Sequence, residues 1–236
     1  MQVRGNHNGT EYSLFDAGTS PKEVGVDGDC DEEESKRPDP AANLTEDQMN
    51  GLRKELCIIH YNHDKKNKVN RQMEIAIPAC KEVTRMTTMG LEKAVEVKTW
   101  RPVVTRDSMG AALTRVRYQK NQNVAPLTEK IFVMHLRESK YDPLSSCLVD
   151  FKERANCGSV KNFQLIKSFP EDPGKLKDFE SYGGLGHGEP AGGPVPVLLQ
   201  MGKVGKNCFN MDFQYPLSML QAFAICLSRF DTSLSW

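Results

Sequence analysis

The stretch "YPLSMLQAFAICLSRF", residues 215 to 230, constrains the fold more than any other part of the chain. On a helical wheel, Leu217, Met219, Leu220, Ala222, Phe223, Ala224, Ile225, Cys226 and Leu227 point in every direction, interrupted only by Ser218 and Gln221. A helix apolar all round must be surrounded, either by lipid or by protein. Lipid does not fit. A bilayer span takes about 20 mostly apolar residues, whereas Lys203 and Lys206 lie upstream and Arg229 closes the run. The polar opening "MQVRGNHNGTEY" has no apolar signal-peptide core. The sequence therefore predicts a helix over about 215–230, buried inside a soluble domain, with Pro216 in its first turn, where a missing N–H costs nothing.

The rest of the chain supplies what could surround it. "RQMEIAIP" alternates with Met73, Ile75 and Ile77 on one face; "KAVEVKTW" alternates through Val95 and Val97, and "NCFNMDF" through Phe209, Met211 and Phe213. Similar runs are "TEYSLFDA", "ELCIIHY", "ALTRVRY", "KIFVMHL", "SCLVDFKE", "SVKNFQLI" and "PVLLQMGKV". Closely spaced runs of β-branched and aromatic residues predict an antiparallel, all-β domain. Two stretches stand apart. Residues 25–43 are acidic and nearly free of large apolar side chains, as in a disordered insertion, and residues 168–196 are a Gly/Pro-rich loop. "TEDQ" at 45–48 has the form of a capping box, with a strand following by Glu55.

Alternating strands have one dry face to cover, while the helix needs cover on every side. A β-barrel closed around the C-terminal helix satisfies both, because barrels wider than about eight strands need something inside them. A two-sheet sandwich with the helix at one end is the alternative. At 236 residues the chain can bury a sizeable core, and its 31 Lys and Arg balance 31 Asp and Glu. No net field then draws it to nucleic acid or membrane, so any such attraction must come from a local patch. Seven cysteines without a CxxC pair indicate a reducing, intracellular setting, in which the sequons at Asn8 and Asn43 are chance matches.

At "FKERANCGSVKNFQ" (151–164) and "YPLSMLQAFAICLSRFD" (215–231) the sequence closely resembles the tubby-like proteins, whose C-terminal domain is a closed β-barrel threaded by an apolar helix. "VRGNHNGTEYSLFDAG", "GLRKELCIIHYN", "RQMEIAIP" and "LLQMGKVGKNCFNMDFQYPL" extend the resemblance over nearly the whole chain, broken by the two insertions, so that residues 1–236 are expected to form one tubby-like barrel domain. The resemblance implies that roughly the first third of the family's barrel lies before the first residue of this sequence. The family's first motif has Gly, Val and Ala where this chain has Glu153, Ala155 and Gly158, and the second departs from Arg229 onward.

The resemblance implies a site as well. Tubby-like barrels hold the head group of phosphatidylinositol 4,5-bisphosphate with basic side chains from neighbouring strands. The family's Lys-Leu-Arg stretch here reads "QVR", so Arg4 matches the arginine and Gln2 stands in place of the lysine. Arg53 of "LRKEL" matches a second family arginine. Guanidinium groups suit the task, since they hold phosphate oxygens bidentately. The loop residues Lys65, Lys66, Lys68 and Arg71 form a possible membrane-facing basic patch, although a solvated hairpin loop explains them as well.

Other candidates carry less. His60 and His63 beside Asp64 invite a metal reading, but residues three apart along a strand point to opposite faces, and no third ligand is close in sequence. "GGLGHG" at 183–188 lacks the strand, helix and following Lys-Ser/Thr of a phosphate loop. No nucleophile elbow or cysteine–base pair points to catalysis. The resemblance implies a non-enzymatic adaptor with no cofactor, peripheral at the plasma membrane or cilium, that sorts membrane-protein cargo. Its alternatives are a nuclear transcription regulator or nucleic-acid-binding protein, which the neutral charge disfavours, and a ubiquitin-ligase substrate adaptor without a lipid site.

Overall fold

The computed structural model describes residues 1–26, 44–62, 72–88, 90–118, 129–137, 151–168 and 196–231. Ten strands run in chain order: β1 (Gln2–Gly5), β2 (Glu11–Phe15), β3 (Glu55–Asn62), β4 (Gln72–Pro78), β5 (Cys80–Thr87), β6 (Gly90–Val97), β7 (Ile131–Leu136), β8 (Phe163–Lys167), β9 (Val197–Gly205) and β10 (Cys208–Phe213). Three α-helices join them: α1 (Glu46–Gly51), α2 (Met109–Tyr118) and α3 (Met219–Ser228). Eight strands form one sheet in the order β1-β2-β3-β4-β7-β8-β9-β10, while β5 and β6 pair separately as a hairpin. The neighbours from β7 to β10 are antiparallel. The domain is all-β with a C-terminal helix, as the sequence indicated.

The chain divides into two compact units. The first holds Met1–Arg4, Ser13–Ile58 and Ala76–Phe132; the second holds Gly5–Tyr12, Ile59–Ile75 and Val133–Trp236.

In the first unit, Thr45 caps α1. Its hydroxyl accepts from the Gln48 N–H while the Gln48 amide oxygen accepts from the Thr45 N–H, so the capping box is formed. Val26, Leu52, Val103 and Val104 make a small core, packed by Val24, Leu44 and Met49. Val26 therefore belongs to the fold and not to the acidic insertion, which the sequence started one residue before it; residues 27–43 lie outside the described ones. A second correction concerns "ALTRVRY", expected as a strand. It is the body of α2, whose buried residues Met109, Ala112, Leu113 and Val116 follow helical spacing. The first N–H of α2 is met by the buried Glu55, whose Oε2 accepts from Met109 at 2.6 Å. β1 and β5 are strands that the sequence did not announce, and β4 is buried at Glu74 and Ala76 as well as at Met73, Ile75 and Ile77. Of "SCLVDFKE", residues 146–150 lie outside the described residues, and the remainder is a turn. The Gly/Pro-rich stretch from 169 to 195 is likewise outside them.

In the second unit, Ser218 is the N-cap of α3 and forms a capping box with Gln221, so the two polar residues that interrupt the apolar run are the ones that start the helix. Pro216 precedes that cap, in a cis peptide bond with Tyr215, and lies outside the first turn. The burial of α3 is one-sided. Ala222, Ala224, Ile225 and Cys226 are buried, whereas Met219, Phe223 and Leu227, four residues apart, are 70%, 57% and 48% exposed. The all-round enclosure expected from the helical wheel is thus corrected to a buried face and an exposed apolar stripe.

The end of α3 is fastened by polar contacts. Ser228 Oγ donates to the Ile225 carbonyl at 2.7 Å, which makes the Tyr61 hydroxyl the donor in the 2.7 Å contact between Tyr61 and Ser228. Arg229 donates to the Val160 carbonyl at 2.7 Å, and Lys161 Nζ donates to the Arg229 carbonyl at 3.2 Å. Tyr12 donates to Asp231 Oδ2 at 2.7 Å. Arg229, a departure from the family motif, therefore has a structural task here.

A chain of side-chain bonds crosses the last strands. Arg137 donates to Gln164 Oε1 (3.2 Å), Gln164 to Gln200 Oε1 (2.9 Å) and Gln200 to Asp212 Oδ2 (2.9 Å). Arg154 closes it with a bidentate pair on Asp212, at 2.9 and 2.8 Å. That pairing and the Gln200 bond together hold the Asp212 carboxyl below its ordinary range, against an opposing effect of burial.

The turn leading to Arg154 is strained. Lys152 and Glu153 have φ of 49° and 63°, in the left-handed region that disfavours residues with a Cβ. Glu153→Gly is expected to raise stability by about 1 kcal/mol, net of glycine's greater freedom in the unfolded chain. Urea denaturation checks it; a variant less stable than the parent would contradict the strain.

Candidate functional site

Arg53 follows the short helix α1 and precedes β3, and local packing fixes it there. Asp16 Oδ1 accepts from the Gly18 N–H (3.0 Å) and from the Lys54 N–H (2.8 Å), tying the end of β2 to the start of β3. The Arg53 N–H donates to the Thr19 carbonyl and the Thr19 N–H to the Gly51 carbonyl, both at 2.9 Å. Gly18 lies so close that an added Cβ would sit 2.5 Å from both Cα and N of Arg53. Only glycine fits there. The guanidinium lies over the Phe15 ring, 4.1 Å from its centroid, in a cation–π contact that holds the side chain out from the backbone.

The electrostatics of this corner are unusual. Partial burial, and next the positive charge of Arg4, lower the Arg53 pKa from its ordinary value, while Glu23 and Glu55 partly offset them. The structure therefore brings Arg4 and Arg53 within electrostatic reach of each other. Among the described residues, Arg53 Nε is buried and without a hydrogen-bond partner. Gln2 lies two residues from Arg4 on β1, hence on the same face of that strand, and both are exposed. Two like charges with an unfilled donor between a ring and a turn are the kind of place an anion stabilises.

The remaining sequence candidates fare differently. Lys65, Lys66, Lys68 and Arg71 lie outside the described residues, as do His63 and Asp64; His60 is on β3. Among the described residues, no three His, Cys, Asp or Glu side chains are placed to hold a metal ion. No helix of the described residues is long and apolar enough to cross a membrane.

A second basic place escaped the sequence. Ser159, Lys161, Lys203, Asn207, Phe209 and Phe230 line a cleft of about 400 Å³ in the second unit. Its residues come from three separated segments, so spacing could not reveal it. Lys161 is already engaged, 4.6 Å above the Phe230 ring and bonded to the Arg229 carbonyl, and its role is to hold the end of α3.

An eight-stranded sheet accompanied by one apolar C-terminal helix has the makeup of a tubby-like domain. The comparison with known families agrees: the model described as Tub family matches residues 1–232, and the chain belongs to that family. Tubby-like F-box protein 1 of Arabidopsis thaliana is 45% identical over 98 residues, covering 40% of this chain and 21% of that protein. Tubby-like F-box protein 8 of Oryza sativa subsp. japonica is 41% identical over 105 residues, covering 40% of this chain and 20% of that protein. A further relative, Tubby-like F-box protein 5 of Arabidopsis thaliana, is 43% identical over 101 residues, 39% of this chain and 23% of that protein. The chain thus spans about a fifth of the length of these relatives.

Proposed function

We infer that this chain is a phosphoinositide-binding adaptor that docks peripherally on membranes and acts by binding, not by catalysis. The observation that carries this reading is the juxtaposition of Arg4 and Arg53, with the partnerless Arg53 Nε aimed at no other described group. A phosphate of phosphatidylinositol 4,5-bisphosphate would relieve their mutual repulsion and accept from both guanidinium groups. Gln2 would add a neutral amide donor where a lysine would have added a charge. Family membership supports the same reading, and with it a place at the cytoplasmic face of the plasma membrane or cilium, in the sorting of membrane-protein cargo.

Liposome co-sedimentation, with and without phosphatidylinositol 4,5-bisphosphate, tests it. Arg53→Ala should weaken binding about 10-fold or more, the worth of a charged hydrogen bond. Folded parent protein that stays in the supernatant with the bisphosphate present would end the lipid reading and leave a protein-interaction module.

A further inference from the structure

We propose that the β5–β6 hairpin inserts its tip into the headgroup layer of an anionic membrane. This rests on the docking reading above and gives it a second point of contact.

The hairpin stands out in its burial. β6 is exposed at seven of its eight positions, with only Ala94 half-buried, so neither face of the ribbon is well covered. A two-stranded ribbon exposed on both sides is marginal in water. One rung short of the tip its side chains are nevertheless large and apolar: Met86 is 87% exposed and its register partner Leu91 is 76% exposed. Val95 and Val97, exposed as well, share the face of Leu91, with Lys93 between them. The opposite face carries the rungs Arg85–Glu92 and Lys81–Glu96, each placing opposite charges across from one another.

Charge and length select the occupant. Beyond the Arg85–Glu92 rung, the rungs Met86–Leu91 and Thr87–Gly90 are uncharged. From Arg85 to Thr88 is three residues, roughly 10 Å at about 3.3 Å per residue. Interfacial segments bury their apolar faces to about that depth. At that depth the Arg85–Glu92 rung and the next, Thr84–Lys93, reach the lipid phosphates, and the two rungs together carry one net positive charge. A protein partner is a poorer match. Stable interfaces take about 800 Å² from each side, far more than two side chains at the end of a ribbon supply. A bilayer needs no such complementary surface.

The test compares the full chain with the double variant M86S/L91S, which removes the apolar surface without adding charge, on vesicles of phosphatidylcholine and phosphatidylserine doped with phosphatidylinositol 4,5-bisphosphate. Soluble inositol 1,4,5-trisphosphate, titrated by calorimetry, reports on the arginine site alone. Both substituted side chains are exposed, so the variant should keep the parent's melting temperature and its affinity for the soluble head group. Its vesicle affinity should fall about 30-fold or more, the cost of withdrawing two apolar side chains from the interface. Met86→Leu, which keeps the apolar surface, should bind vesicles as the parent does. A double variant that sediments with vesicles like the parent overturns the hairpin proposal and leaves the arginine site standing. A parent that binds no vesicles overturns the hairpin and membrane docking together, whether or not it binds the soluble head group.

Discussion

Ala224→Asp is expected to remove most of the stability of the unit that carries α3. Ala224 is 2% exposed and lies next to Ile225, which is fully buried. A carboxylate there has no partner and no water, and its burial costs several kcal/mol, a large part of the total stability of a domain. The control is on the same helix. Phe223 is 57% exposed, so Phe223→Asp should change stability by no more than about 1 kcal/mol. Thermal and urea unfolding of the pair measures the asymmetry of α3 directly. Equal losses in both variants would show that the helix is enclosed on all sides after all.

The second large effect falls on Gly18. A Cβ there would lie 2.5 Å from Arg53 Cα and N and 2.8 Å from the Leu52 carbonyl carbon. All three are backbone atoms, which cannot turn aside as a side chain can. Gly18→Ala is therefore expected to destabilise the first unit by about 3 kcal/mol, at the upper end for overpacking. It should also displace Arg53 from its seat over Phe15, so binding of phosphatidylinositol 4,5-bisphosphate should weaken even where the variant is folded. A Gly18→Ala protein with parental stability and parental lipid affinity would show that the close approach of the two segments is not a constraint. The variant thus links the architecture of the corner to the chemistry it presents.

Much of the all-β framework could be read from period-two alternation, and the reasons for the exceptions are physical. β3, β4 and β7 to β9 each bury apolar side chains, so their sequences show it, and β10 shows it through the half-buried Phe209 and Met211. β1 and most of β5 and β6 are exposed, and with no buried face there is little apolar alternation to find; β6 was seen only because Val95 and Val97 lie on its one apolar side. α2 was misread because the window "ALTRVRY" left out Met109, the residue that completes the helical series with Ala112, Leu113 and Val116. The helical wheel of α3 correctly required apolar neighbours, but hydrophobicity alone does not say how many faces are covered. Arg4 and Arg53 were matched through the family resemblance; their mutual proximity and the lone Nε are tertiary facts that no spacing along the chain encodes.

The side-chain relay from Arg137 through Gln164 and Gln200 to Asp212 and Arg154 has a bearing on how the sheet assembles. Hydrophobic alternation rejects a strand displaced by one residue, because every side chain would then change faces. It is blind to a displacement of two, which returns the same sort of residue to the same face. The relay is not blind to it. A two-residue slip of β9 would carry Gln200 away from both Gln164 and Asp212, breaking the bonds its amide makes to the buried Gln164 and to Asp212. The amide ladder acts as a vernier on the last strands, distinguishing alignments that burial alone would accept.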